Sequence, residues 1–248
     1  VGFYNPVQKS RAEVFAFVEK ELKDLDSSLK ASKANEYGRI DKTAAKFLLA
    51  KIYLNAKVYT GTAKNTECIT ACKEVMASGY SFANVPYFHL FSADNNTNGA
   101  QAEIIFPVVG DGNFIRATGA GMSFIMHASI GGSMDAASRG MDGGWQGIRT
   151  RREFVNLFPD ETATADKRGT FYTAGQAKDI TNVGTFTDGY AVTKYINKNS
   201  DGSAAQRNDI PDIDFPMFRL TDAYFMYAEA TLRGATGAIA RSEGKRMP

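Results

Sequence analysis

The chain has 248 residues, a net charge of +2, 44% hydrophobic residues and 23% charged ones. This is the composition of a globular protein and not of a disordered polymer. The small charge excess leaves no basic surface suited to nucleic acid, and no run of about 18 apolar residues exists to cross a bilayer.

The N-terminus, Val1 to Pro6, has no initiator Met, basic n-region or apolar h-region. Either a signal was removed or the chain begins partway through a longer protein. Ser10 and Glu13 make a capping box. They open a helix whose apolar stripe is Val14, Phe17, Val18, Leu22, Leu25 and Leu29 at helical spacing. Polar residues from Lys30 to Tyr37 close it. Asp41 caps a second helix through Ala44, Phe47, Leu48, Ile52 and Leu54. A third starts at Asn65 or Thr66, carries Cys68, Ile69, Cys72, Val75 and Met76 on one stripe, and ends at Gly79. The second and third helices form an αα-hairpin. Ala50, Ala56, Ala71 and Ala77 let its helices approach closely, as in tetratricopeptide-like repeats. Cys68 and Cys72 read as small core residues, because a metal pair would need further ligands and the nearest His is His89.

The character changes after residue 80. Pro86 to Phe91 is aromatic-rich, and Glu103 to Val109 reads as a short strand. Gly110 to Gly147 holds ten of the 23 glycines and is expected to be a long irregular loop, ordered because it carries the only Trp. Arg151 to Phe158 reads as a short helix stopped by Pro159, and Tyr190 to Ile196 as a strand. A polar loop from Asn197 to Asp209 leads to a last helix, Phe218 to Arg233, which is apolar nearly all round and therefore expected to be buried. The tail from Gly234 has no core face of its own. The fold class expected is mainly α: tetratricopeptide-like helical hairpins, a loop-rich part and a few short strands.

Catalytic constellations are missing from the sequence. It has no G-x-S-x-G elbow, H-E-x-x-H, Walker loop or C-x-x-C pair. His89 and His127 cannot build a triad by themselves, and Gly110-Asp111-Gly112 lacks the third glycine of a dinucleotide fingerprint. Paired carboxylates of a glycoside hydrolase need no fixed spacing, so they stay open. Binding features are what remain. Trp145, set among Gly143, Gly144 and Gly147, has two readings: a core side chain, or a flat apolar plate for a sugar ring. Phe124 supplies a second plate, and Arg139, Asp142 and Arg149 supply groups for sugar hydroxyls. Asp212 and Asp214 flank one residue, and Asp111 follows the Glu103 strand. These oxygens suit either turn formation or a structural Ca²⁺.

Several blocks in order then resemble the SusD/RagB family. They are Gly38 to Ala45, Leu48 to Ala56, Val58 to Gly61, Val75 to Tyr80, Tyr87, Leu90-Phe91 and Glu103 to Phe106. Asp166 to Arg168, Lys194-Tyr195, Asp214 to Leu220 and Tyr227 to Ala230 complete the set. The resemblance implies a surface lipoprotein of the outer membrane, mostly helical with a loop-rich face. Such a protein captures oligosaccharides for a TonB-dependent transporter of the SusC kind, and binds without cleaving. The similarity is closest to the family's starch-binding founder. There Trp145 matches a starch-stacking Trp, Phe124 falls near a stacking Tyr, and Asp111, Asp212 and Asp214 match calcium-binding segments. The family's lipobox Cys, its first helices and its later part have no counterpart here. The chain is thus expected to be a fragment of one such domain. Its parts are helical repeats over 1–80, a loop-rich ligand-binding part over 81–217 and a buried helix over 218–233, with any lipid anchor outside it. Competing readings are capture of peptides by a RagB-like receptor, a helical-repeat adaptor that binds proteins, and a glycoside hydrolase.

Overall fold

The computed structural model describes residues 5–114 and 121–238. The expected Gly-rich loop is partly, and the charged C-terminal tail largely, outside these residues. Among them the elements in chain order are α1 (Arg11–Asp24), α2 (Lys42–Leu54), α3 (Ala56–Thr60), α4 (Asn65–Met76), β1 (Ile104–Val108) and α5 (Gly121–Ser129). There follow β2 (Arg149–Thr150), α6 (Arg152–Val155), β3 (Phe171–Tyr172), β4 (Tyr190–Val192), β5 (Phe215–Arg219) and α7 (Leu220–Leu232). The chain forms two compact units, one of residues 1–82, 102–106 and 217–248, the other of 83–101 and 107–216. No described helix is long and apolar enough to cross a membrane.

The first unit is the helical one. The capping box of α1 forms as expected: Ser10 Oγ accepts from Glu13 N, and Ser10 N donates to Glu13 Oε2 at 2.9 Å. The buried face of α1 is displaced from the expected stripe. Phe15 and Leu22 are buried, whereas Val14 and Phe17 are exposed. The cause is a polar residue. Glu19 accepts from Tyr53 Oη at 3.0 Å and from Lys64 Nζ at 3.2 Å, which sets Phe15, Glu19 and Leu22 toward the core. A reading that counts apolar residues alone passes over such an anchor.

Asp41 does more than cap α2. It is fully buried, and its Oδ1 accepts from Ala44 N at 3.1 Å. Its Oδ2 accepts from Lys33 N at 2.8 Å and from Tyr80 Oη at 3.0 Å. Burial and the neighbouring Asp41 charge push the Tyr80 phenol up, so it stays a donor. α2 packs chiefly on α4, and α4 on α7. Ala50, Ala56, Ala71, Cys68 and Cys72 are buried there, and Phe47 stacks on Phe218 with centroids 4.7 Å apart. Ala77, expected inside the hairpin, is exposed beyond the end of α4. The last helix is shorter than expected, because Phe218 belongs to β5, which pairs with β1. α7 also has an open side, at Phe225 and Leu232, opposite a buried face of Leu220, Ala223, Tyr227 and Ala230.

The second unit has little regular structure. β2, β4 and β3 make a small antiparallel sheet, with Thr150 opposite Tyr190 and Phe171 opposite Val192. The expected Tyr190 to Ile196 strand contracts to β4, and the 151–158 helix to α6. The Gly-rich stretch expected to be irregular contains α5, a helix with Met122 and Met126 buried against Ile130, Met141 and Ile213.

Asp41→Ala should strip acceptors from Ala44 N, Lys33 N and Tyr80 Oη together. The expected loss of stability is about 2–4 kcal/mol, read from urea unfolding. Tyr80→Phe, which removes one donor, should cost less than half of that.

Candidate functional site

The site is built on the C-terminal end of α5. A helix leaves its last carbonyls without intrahelical partners. Here the following Trp-bearing loop supplies them. Trp145 N donates to His127 O at 2.7 Å, and Gly147 N and Ile148 N donate to Ala128 O at 2.7 and 2.6 Å. Gln146 N donates to Ile130 O at 3.1 Å. The approach is close enough to require glycine at 144, where a Cβ would lie 2.2 Å from Ile130 O. Gly144 is therefore a packing residue, and the loop is held and not merely open. Gln146 takes φ +60°, a strained conformation for a residue with a side chain.

This places the indole on a fixed support. Trp145 is 49% exposed, yet its ring stacks on that of His127, with centroids 4.5 Å apart and planes 15° apart. His127 is buried at 7% exposure, and its Nδ1 lies 2.8 Å from Ser123 O. A carbonyl only accepts, so Nδ1 carries the ring proton. Nε2 faces Asp142 Oδ1 at 3.7 Å. Phe124, 48% exposed, stands beside the indole at 6.4 Å and a tilt of 56°. Of the five expected ligand-binding residues, Trp145, Phe124 and Asp142 are brought together. The core reading of Trp145 does not describe its position, because the residue is half exposed.

The two arginines are engaged elsewhere. Arg139 Nη2 donates to Thr193 O at 2.7 Å and to Tyr195 O. Burial pushes its guanidinium down to about 10, so it remains charged at neutral pH. It lines a cavity with Phe88, Thr170, Phe171 and Lys194, away from the Trp145 loop. Arg149 Nη2 donates to Val183 O at 2.8 Å, and its guanidinium lies over the Phe186 ring. Sequence reading missed His127. Its signal was its place three residues after Phe124, which on a helix puts both on neighbouring positions. That signal was hidden because the stretch reads as loop.

The three aspartates do not gather as a ligand set. Among the described residues, no three His, Cys, Asp or Glu side chains are grouped to hold a metal ion. Asp111 Oδ1 instead accepts from Asn113 N and Phe114 N of its own turn. Asp212 Oδ1 accepts from Gly112 N at 2.6 Å, and its Oδ2 from Gln206 N at 2.6 Å. Asp214 Oδ1 accepts from Gly110 N at 2.8 Å. The pinning of the 110–114 turn that calcium was expected to perform is done by backbone N–H donors.

Comparison with known proteins gives one consistent picture. The profile of the SusD family matches residues 145–240. The starch-binding protein SusD of Bacteroides thetaiotaomicron is 30% identical over 281 residues, covering 94% of this chain and 50% of that protein. A SusD superfamily protein from Parabacteroides distasonis superposes with a TM-score of 0.63 at 20% identity, covering 90% of this chain and 46% of the other. Surface glycan-binding protein A of Bacteroides thetaiotaomicron, in complex with laminarihexaose, superposes with a TM-score of 0.61 at 15% identity, covering 93% and 52%. The structural likenesses show the fold. The chain spans about half the length of the relatives it matches.

Asp212→Ala should leave Gly112 N and Gln206 N without acceptors in a buried setting. A loss of about 2–5 kcal/mol in urea unfolding is expected, with Asp212→Asn, which keeps one carbonyl oxygen, falling between it and the native chain.

Proposed function

The chain belongs to the SusD family, and on that premise we propose that it is part of a cell-surface protein that captures oligosaccharides on a platform made by Trp145 and Phe124. One observation carries the reading: an indole stacked on a buried imidazole and yet 49% exposed. Exposed apolar surface is unfavourable by roughly 25 cal/mol per Å². A protein that fixes such a surface gains nothing from it unless a ligand covers it. The C–H face of a sugar ring covers an indole well, while the sugar's hydroxyls keep polar partners such as Asp142. The tilt of Phe124 against Trp145 suits a chain that curves, as an α-linked glucan does. The relative named for starch binding supports the same class of ligand.

The rest of the reading follows the family. The whole protein would sit at the outer-membrane surface on a lipid anchor and pass its ligand to a TonB-dependent transporter of the SusC kind. Its role is binding and not cleavage. Peptide capture is the runner-up.

Trp145→Ala in the full-length protein should weaken binding of maltoheptaose by about 1–3 kcal/mol in calorimetric titration. Melting temperature should change little, because the indole is half exposed. A β-glucan should bind less tightly than maltoheptaose. Equal affinities for wild type and variant would remove Trp145 from the site. A peptide that binds while both glucans fail would move the reading to peptide capture, and release of reducing ends would move it to hydrolysis.

A further inference from the structure

We propose that His127 is the positioning residue of this platform, fixing the plane in which the Trp145 indole meets its ligand. The inference rests on the glycan-binding reading for its purpose, though not for its geometry. Trp145 is registered on His127 twice. Its backbone N–H donates to the His127 carbonyl at 2.7 Å, and its ring lies flat on the imidazole at 4.5 Å. The imidazole cannot turn freely beneath it. Nδ1 is tied to Ser123 O one turn back in α5, and the ring is enclosed. Asp142 Oδ1 at 3.7 Å from Nε2 closes the remaining edge.

An unsupported indole on a loop would reorient about both of its side-chain torsions. Ordering it on binding would then oppose affinity. The stack performs that ordering before the ligand arrives, so the open face is presented at one angle to the tilted Phe124 ring. Trp145 also reads its own state, because it is the only Trp in the chain. In this chain, indole emission excited beyond the tyrosine absorption band therefore reports on the platform.

His127→Leu keeps the buried volume without a flat ring, and His127→Phe keeps the flat ring without the imidazole nitrogens. In wild type, time-resolved anisotropy should show an indole with no independent nanosecond motion. His127→Leu should release that motion and raise acrylamide quenching. It should also weaken maltoheptaose binding about threefold to tenfold, the factor expected for ordering one side chain on binding. His127→Phe should restore both the slow anisotropy decay and most of the affinity. A role confined to stability would leave the anisotropy of the folded His127→Leu variant at the wild-type value. That result overturns the inference, as does a freely moving indole in wild type itself. Failure of wild type to bind any glucan would instead overturn the glycan reading, while the ligand-free fluorescence still decides whether His127 holds the indole.

Discussion

The loop-rich unit depends on residues 212–214. A segment with few helices and strands must still satisfy its buried backbone N–H and C=O groups, and side chains take over that task. Two fully buried asparagines act as substitute strand partners. Asn95 Nδ2 donates to Asp214 O at 2.9 Å while Asp214 N donates back to Asn95 Oδ1 at 3.2 Å. Asn197 Oδ1 accepts from Asp212 N at 3.0 Å, and its Nδ2 donates to Gly140 O and Arg207 O. The carboxylates of Asp212 and Asp214 extend the clip to the turn at Gly110 and Gly112. Between them Ile213 is fully buried beside Met126 and Met141. One short stretch therefore fixes the turn, the 140–142 segment and the floor of α5.

From that clip the platform follows by local steps. Gly140 adopts φ +75° against Asn197, where a Cβ would lie 2.0 Å from Asn197 O. Met141 is drawn into the core, and Asp142 N donates to Asn208 O at 2.9 Å. The chain then reaches the end of α5 in the right direction to donate its next N–H groups to that helix's last carbonyls. The indole comes to lie over the residue whose carbonyl it has just engaged. No step requires a long element of regular structure.

Legibility divided along the same line. In the helical unit the sequence states its own grammar. Capping residues Ser10 and Asp41, the alanines at 50, 56 and 71 and the apolar stripe of α4 announce themselves. What failed there was Ala77, which is exposed, the stripe of α2, which buries Leu49 and Tyr53 more than Leu48 and Ile52, and the register of α1, set by the polar contact of Glu19 with Tyr53. In the loop-rich unit, glycine density masked α5, and with it the face shared by Phe124 and His127. Trp145, Phe124 and Asp142, named from residue type and a family resemblance, are the expected residues that the fold brings near His127 and one another. Nothing in a sequence shows that a guanidinium is engaged by carbonyls far along the chain, as Arg139 is by that of Thr193 and Arg149 by that of Val183.

The design also explains why the site is open and not a deep pocket. An aromatic ring buried on both faces is core, and one exposed on both faces is mobile. Trp145 is neither, since His127 takes one face and leaves the other. Such a plate offers shape and apolar area but few fixed hydrogen bonds, so on the proposed reading it would favour what sugar rings of a polymer have in common over what distinguishes them. A contact of this kind is weak for each ring, and a polymer that presents many rings compensates by rebinding along its length. On that reading, discrimination between chains comes from the angle between the two rings, which α5 sets through Phe124 and His127 through the indole. On the proposed reading, the side chain that governs ligand choice is thus His127, which lies beneath the indole and not against the ligand.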